Sequence, residues 1–153
     1  MESSKLSNAE PELLRATAPK PRVLRITLRR DFDVVRAATD RVQQFLRAHG
    51  CDDGARADCE LAVVEGCNNA IKHAYPKGVS QPVRLEVQVE RHQIELRIID
   101  HGPGFIWPES INLPDPENES GRGLYLIRVL MDHAAYYRGR DKNVLVLRKW
   151  RRV

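Results

Sequence analysis

Hydrophobic residues recur with two different periods along the chain. From Val83 to Ile98 they alternate: Val83, Leu85, Val87 and Val89 are separated by Arg84, Glu86 and Gln88, and Ile94, Leu96 and Ile98 by Glu95 and Arg97. Alternation puts each set on one face of a strand, and with only Arg91 to Gln93 between the runs the pattern predicts an antiparallel hairpin with one face buried. Upstream the period is helical. Val34, Val35, Ala38, Val42, Phe45 and Leu46 mark one helix, with Asp31 placed to cap its start and Gly50 to end it. Asp52 or Asp53 can cap a second helix, which Pro76 and Gly78 close. A first strand is expected from Arg22, through Val23, Ile26 and Leu28.

Beyond Asp100 the pattern stops. Residues from Ile106 to Ser120 carry prolines, acids and asparagines without period, as expected of a long functional loop. Helical spacing returns in Leu124, Ile127, Leu130 and Met131, and two short strands follow, near Ala134 to Tyr137 and Val144 to Trp150. Strand, two helices, hairpin, loop, helix and two strands is not a strict βα alternation. It predicts an α+β two-layer sandwich with a mixed, mostly antiparallel sheet and helices on one face. The organisation expected is a disordered tail over residues 1–20 and one domain over 21–153. The basic run Arg148 to Arg152 is expected on a solvated edge strand, where positive charge discourages edge pairing.

The second helix has the apolar content of a core helix but carries polar groups. Glu65, Asn69 and Lys72 fall within roughly 60° of one another around it, while Cys59, Val63, Cys67, Ala70, Ile71 and Ala74 lie opposite and can pack inward. Taken alone such a stripe is more often a wet face than a site.

Composition excludes several classes. The chain has 153 residues and a net charge of +4, too weak a basic bias to argue for nucleic acid. No apolar run approaches a membrane span and no signal-peptide core opens the chain, so the expected location is cytoplasmic. The three cysteines, Cys51, Cys59 and Cys67, form no C-x-x-C pair and point to neither a disulfide framework nor a zinc site. G-x-x-x-x-G-K-[ST], G-x-G-x-x-G at a strand-to-helix junction, H-R-D and D-F-G are all missing.

Three separated elements remain. Glu65 and Asn69 lie on the second helix, Asp100-His-Gly102-Pro-Gly104 follows a strand, and Gly121-Arg122-Gly123 opens a helix. Together they resemble the N, G1 and G2 boxes of the histidine-kinase-like ATPases, the Bergerat fold. Glu65 through Tyr75 and Glu119 through Ile127, followed by Met131-Asp132, resemble the anti-sigma-factor serine kinases within that superfamily. Glu119 departs from the arginine that some members carry before the G2 glycines. No phosphoacceptor-histidine helix precedes the domain, which argues against a complete sensor histidine kinase.

The resemblance implies ATP and Mg²⁺ as cofactors and an ATP lid over about residues 105–120. Asn69 is implied as the metal ligand, its amide oxygen being a hard donor suited to Mg²⁺. Glu65 is implied as the general base toward an attacking hydroxyl, the alternative being a plain ion pair with Lys72 or an arginine. Asp100 would accept a hydrogen bond from the adenine amino group, with Gly102 and Gly104 letting backbone approach the base. Gly121, Arg122, Gly123 and Leu124 would meet phosphates at a helix start, with Lys72 and Arg122 as cations. His73 is expected to be structural. The function implied is an ATP-dependent serine/threonine kinase and anti-sigma factor that phosphorylates a small antagonist (anti-anti-sigma, STAS-type) protein, binds a sigma factor and forms a homodimer. The alternatives are an ATP-binding partner-switch module without kinase activity, one acting on a non-sigma partner, or an ATPase with no protein acceptor; a membrane or direct nucleic-acid role is not expected.

Overall fold

The computed structural model describes residues 22–29, 33–74, 81–108 and 119–152. The elements are β1 (Arg22–Leu28), α1 (Asp33–Ala48), α2 (Asp53–Ala74), β2 (Val83–Val89), β3 (Gln93–Asp100), α3 (Glu119–Leu130), β4 (His133–Arg138) and β5 (Asn143–Trp150). This is the order expected from the hydrophobic pattern. The expected tail over 1–20, the Asp31 cap, the Pro76 and Gly78 stop and residues 109–118 of the lid expected over about 105–120 lie outside the described residues.

Local chemistry sets the helix ends. At the end of α1, Gly50 adopts φ +71°. Its N–H donates to Arg47 O and that of Cys51 to Leu46 O, at 3.1 and 3.0 Å, the paired bonds of a Schellman stop. Asp52 then caps α2, its Oδ1 accepting the Ala55 N–H at 2.8 Å. Sequence left Asp52 and Asp53 equivalent; the bond selects Asp52.

The sheet runs β1-β2-β3-β5-β4, and every neighbouring pair is antiparallel. The expected parallel admixture is therefore not found among the described residues. The three helices cover one face: α2 packs on β2, β3 and β5, flanked by α1 and α3. Its apolar side is buried as the stripe required, with Cys59, Val63, Cys67 and Ala74 fully enclosed. Gly66 brings it close, because a Cβ there would run into Ile98 Cδ1.

The strand order corrects the expectation for the basic C-terminal run. β5 is not an edge strand; it lies between β3 and β4. Its charges are paired instead: Arg148 Nε meets Glu95 Oε2 on β3 at 2.8 Å, and Lys149 Nζ meets Asp58 of α2 at 2.9 Å while donating to Leu130 O of α3 at 2.7 Å. The sequence shows a positive strand but not the carboxylates that a neighbouring strand and a helix bring to it. Among the described residues no helix is long and apolar enough to cross a membrane.

Candidate functional site

Cross-strand register builds the site floor. Ile98 of β3 sits opposite Leu145 of β5, and Leu145 opposite Tyr136 of β4, giving an apolar row across the helix-covered face. One step along, Asp100 faces Asn143 and Asn143 faces Arg138. A buried carboxylate thus lies at the end of an apolar floor. Gly66, Asn69, Ala70 and His73 of α2 form the opposite wall, and Phe105 closes the space.

Asp100 is 5% exposed. Burying a carboxylate is costly unless hydrogen bonds compensate. Its Oδ1 accepts the Gly102 N–H at 2.9 Å and Asn143 Nδ2 at 3.0 Å; Nδ2 also donates to Gly102 O at 2.9 Å. No described residue donates to Oδ2, so that oxygen is left to accept from a ligand.

The G1 glycines are needed for space. A Cβ on Gly102 would lie 3.0 Å from Ala74 Cα and 3.2 Å from His73 O, so the loop crosses directly over the end of α2. Gly104 has φ +74°, a conformation costly for other residues, and a Cβ there would lie 2.9 Å from Asn143 Oδ1.

The N and G2 elements also meet. A Cβ on Gly123 would stand 2.7 Å from Glu65 Oε2, so the half-buried carboxylate lies directly against the α3 backbone. Glu65 forms no ion pair among the described residues. Because α3 starts at Glu119, Gly121 lies in its first turn, where backbone N–H groups have no intrahelical acceptor. Gly123 is fifth, so the regular ladder uses its N–H. The missing side chain leaves room beside Glu65. Leu124 is half-buried in the same helix and Arg122 is exposed.

Lys72 separates from its stripe: Glu65 and Asn69 are half-buried, whereas Lys72 is exposed and does not line the pocket. His73, expected only to support the fold, lines it and faces the Phe105 ring at 5.4 Å with 27° between planes. Asn143 and Tyr136 were missed. Neither belongs to a glycine-rich motif, and only register carries them to Asp100; a polar residue opening the apolar run Val144 to Leu147 was the available signal for Asn143. The Tyr136 hydroxyl is sealed from solvent without a hydrogen bond in good geometry, although the Phe105 backbone is near. Burial, and after it the Asp100 charge, raise its pKa above the usual phenol value.

The residues fit the expected nucleotide in kind. Asp100 Oδ2 suits an amino donor, the floor and wall suit a flat apolar ring, the amide oxygen of Asn69 suits Mg²⁺, and the start of α3 suits phosphate. No group of three or more His, Cys, Asp or Glu able to hold a metal occurs among the described residues. Such a site would hold Mg²⁺ through Asn69 together with the nucleotide's own phosphates.

Comparison with known proteins finds relatives in sequence and in fold. The serine-protein kinase RsbW of Bacillus mycoides is 30% identical over 98 residues, 58% of this chain and 61% of that protein. The RsbW of Bacillus subtilis is 31% identical over 84 residues, 49% and 52% of the two chains. The chain thus matches between half and three fifths of these relatives' length. A crystal structure of RsbU and RsbW domains from Mycobacterium tuberculosis superposes with TM-score 0.65 at 21% identity, over 86% of this chain and 33% of that one. The SiaB-SiaC complex from Pseudomonas aeruginosa gives 0.55 at 13%, over 94% and 99%. These two likenesses establish the fold. The sequence pattern described as Histidine kinase-like ATPase domain matches residues 28–149, and the chain belongs to that family.

Proposed function

We infer that the chain is an ATP-dependent protein serine/threonine kinase acting as an anti-sigma factor in a partner-switching pathway. One observation carries the kinase part. The Glu65 carboxylate stands against Gly123 at the phosphate end, one helical turn from Asn69 and clear of any ion pair among the described residues. A carboxylate in that place can accept the proton of an attacking hydroxyl. Mg-ATP would supply the phosphoryl group and charge neutralisation. Asp100 would accept from the base, Asn69 would give its oxygen to the metal, and the backbone N–H of Gly121 would meet phosphate, with Lys72 and Arg122 as cations on the solvent side.

Resemblance to RsbW-type kinases supports a serine on a small antagonist protein as the acceptor, with a sigma factor as the alternative partner, a homodimer as the working form and the cytoplasm as the location. The test is incubation with labelled Mg-ATP and candidate antagonists. Label retained on antagonist serine is expected, Glu65→Gln should bind nucleotide yet lose about 10²-fold or more of the transfer rate, and Asp100→Ala should lose nucleotide. A fully active Glu65→Gln protein refutes the base. ATP-dependent capture of the antagonist without label would replace the kinase by a binding switch.

A further inference from the structure

The base pocket is complete in its chemistry but has almost no room. The void among Asn69, His73, Ile98, Asp100, Phe105 and Tyr136 is about 10 Å³, no more than one water probe, whereas a cavity of about 150 Å³ holds benzene. A purine fits among these described residues only if a wall moves. Gly66, Asn69, Ala70 and His73 are fixed in α2, and Ile98, Asp100, Tyr136 and Leu145 in paired strands. Among the described lining residues, Phe105 alone belongs to unpaired coil. It follows the positive-φ Gly104 and precedes Ile106, which is 84% exposed.

Phe105 is also placed as a flat ligand would be. Its ring lies 4.3 Å from that of Tyr136, with planes 24° apart, and between it and His73. The Tyr136 hydroxyl, sealed without a good partner in this arrangement, is an unmet polar group that a change of occupant can relieve.

We propose that Tyr136 is the stacking platform of the nucleotide base, and that Phe105 is a built-in occupant of that platform which the base displaces. This rests on the reading of the pocket as an adenine site. Binding is then an exchange of one aromatic ring for another. Stacking on Tyr136 is retained, the exposed coil at Ile106 takes up the movement, and Asp100 Oδ2 gains the amino donor. The nearby Trp107 ring, 6.3 Å from Phe105 and 6.1 Å from Tyr136, reports the exchange.

Titration of the full chain with Mg-ATP tests it, with binding followed by calorimetry and Trp107 emission followed in a Trp150→Phe background. Phe105→Ala should bind about tenfold tighter and associate faster, because a competitor has been removed. Tyr136→Leu should bind at least tenfold more weakly, and by several-fold more than Tyr136→Phe, which keeps the ring. Mg-ATP should shift Trp107 emission in the protein that retains Phe105. Phe105→Ala binding that is unchanged or weaker than the parent overturns the proposal, since Phe105 would then be a wall of the site. So does a Tyr136→Leu protein that binds as well as Tyr136→Phe. If the parent chain binds no Mg-ATP, or Asp100→Asn binds it equally well, the adenine reading itself falls and this proposal with it.

Discussion

The Tyr136 hydroxyl and the Asp100 carboxylate line one pocket but are satisfied very differently. Asp100 has two donors on one oxygen, and its burial is supported. Tyr136 has an enclosed hydroxyl without a well-formed bond. A buried polar group left unpaired costs about 1–3 kcal/mol, so Tyr136→Phe should raise the melting temperature of the nucleotide-free protein, by the equivalent of about 1 kcal/mol. A lower melting temperature would show that the Phe105 backbone holds the hydroxyl after all. Asn143 predicts the reverse. Removing its amide in Asn143→Leu leaves Asp100 Oδ1 and Gly102 O each short of a donor in a buried place, a loss of about 2 kcal/mol or more measured by denaturant unfolding.

At the scale of elements, α2 and α3 approach closely because of glycine. Glu65 was legible in the sequence as a polar residue on a core helix, and Gly123 as part of a glycine pair. That the two meet was not, since the residues between them include both strands of a hairpin and the lid. Gly123→Ala tests the contact cleanly. Alanine favours the helix by about 1 kcal/mol, so loss of the fold is not expected, yet its methyl needs the space that Glu65 Oε2 occupies. If Glu65 is the base, displacing it by ~1 Å costs on the order of a hundredfold in transfer rate. Measured transfer should fall by much more than nucleotide affinity. Equal losses in both would place Gly123 at the nucleotide rather than at the base.

For the whole molecule, the cysteines report on the core. Burial pushes the Cys59 and Cys67 thiols from the ordinary value of 9.0 up to about 12. Above pH 9 the unfolded chain therefore releases these protons while the folded chain keeps them. Stability falls as pH rises from about 9 towards 12 because the unfolded state binds fewer protons there. Thermal unfolding between pH 8 and 10.5 should show this decline, and Cys67→Ala should flatten it; an equal slope in the variant would remove the thiol from the account. In the native state both thiols should resist alkylation at pH 8, as they are enclosed and protonated.

The hydrophobic pattern by itself determined the elements, their order and the buried side of each. It could do so because helix and strand periods are local properties, and because the Gly50 stop and the aspartates before α2 act over a few residues. Short runs separately singled out Glu65, Asn69, Asp100 and the glycines, through their resemblance to three boxes. What only the tertiary structure decided is which residues meet. The insertion of β5 between β3 and β4 turned an expected edge strand into an interior one and set Asn143 beside Asp100. The same pairing put Tyr136 in the floor of the pocket beside Asp100, and packing drew Lys72 away from Glu65 and Asn69 into solvent. Strand register and helix packing are non-local, fixed by contacts between residues far apart in the chain, and no period read along one segment contains them.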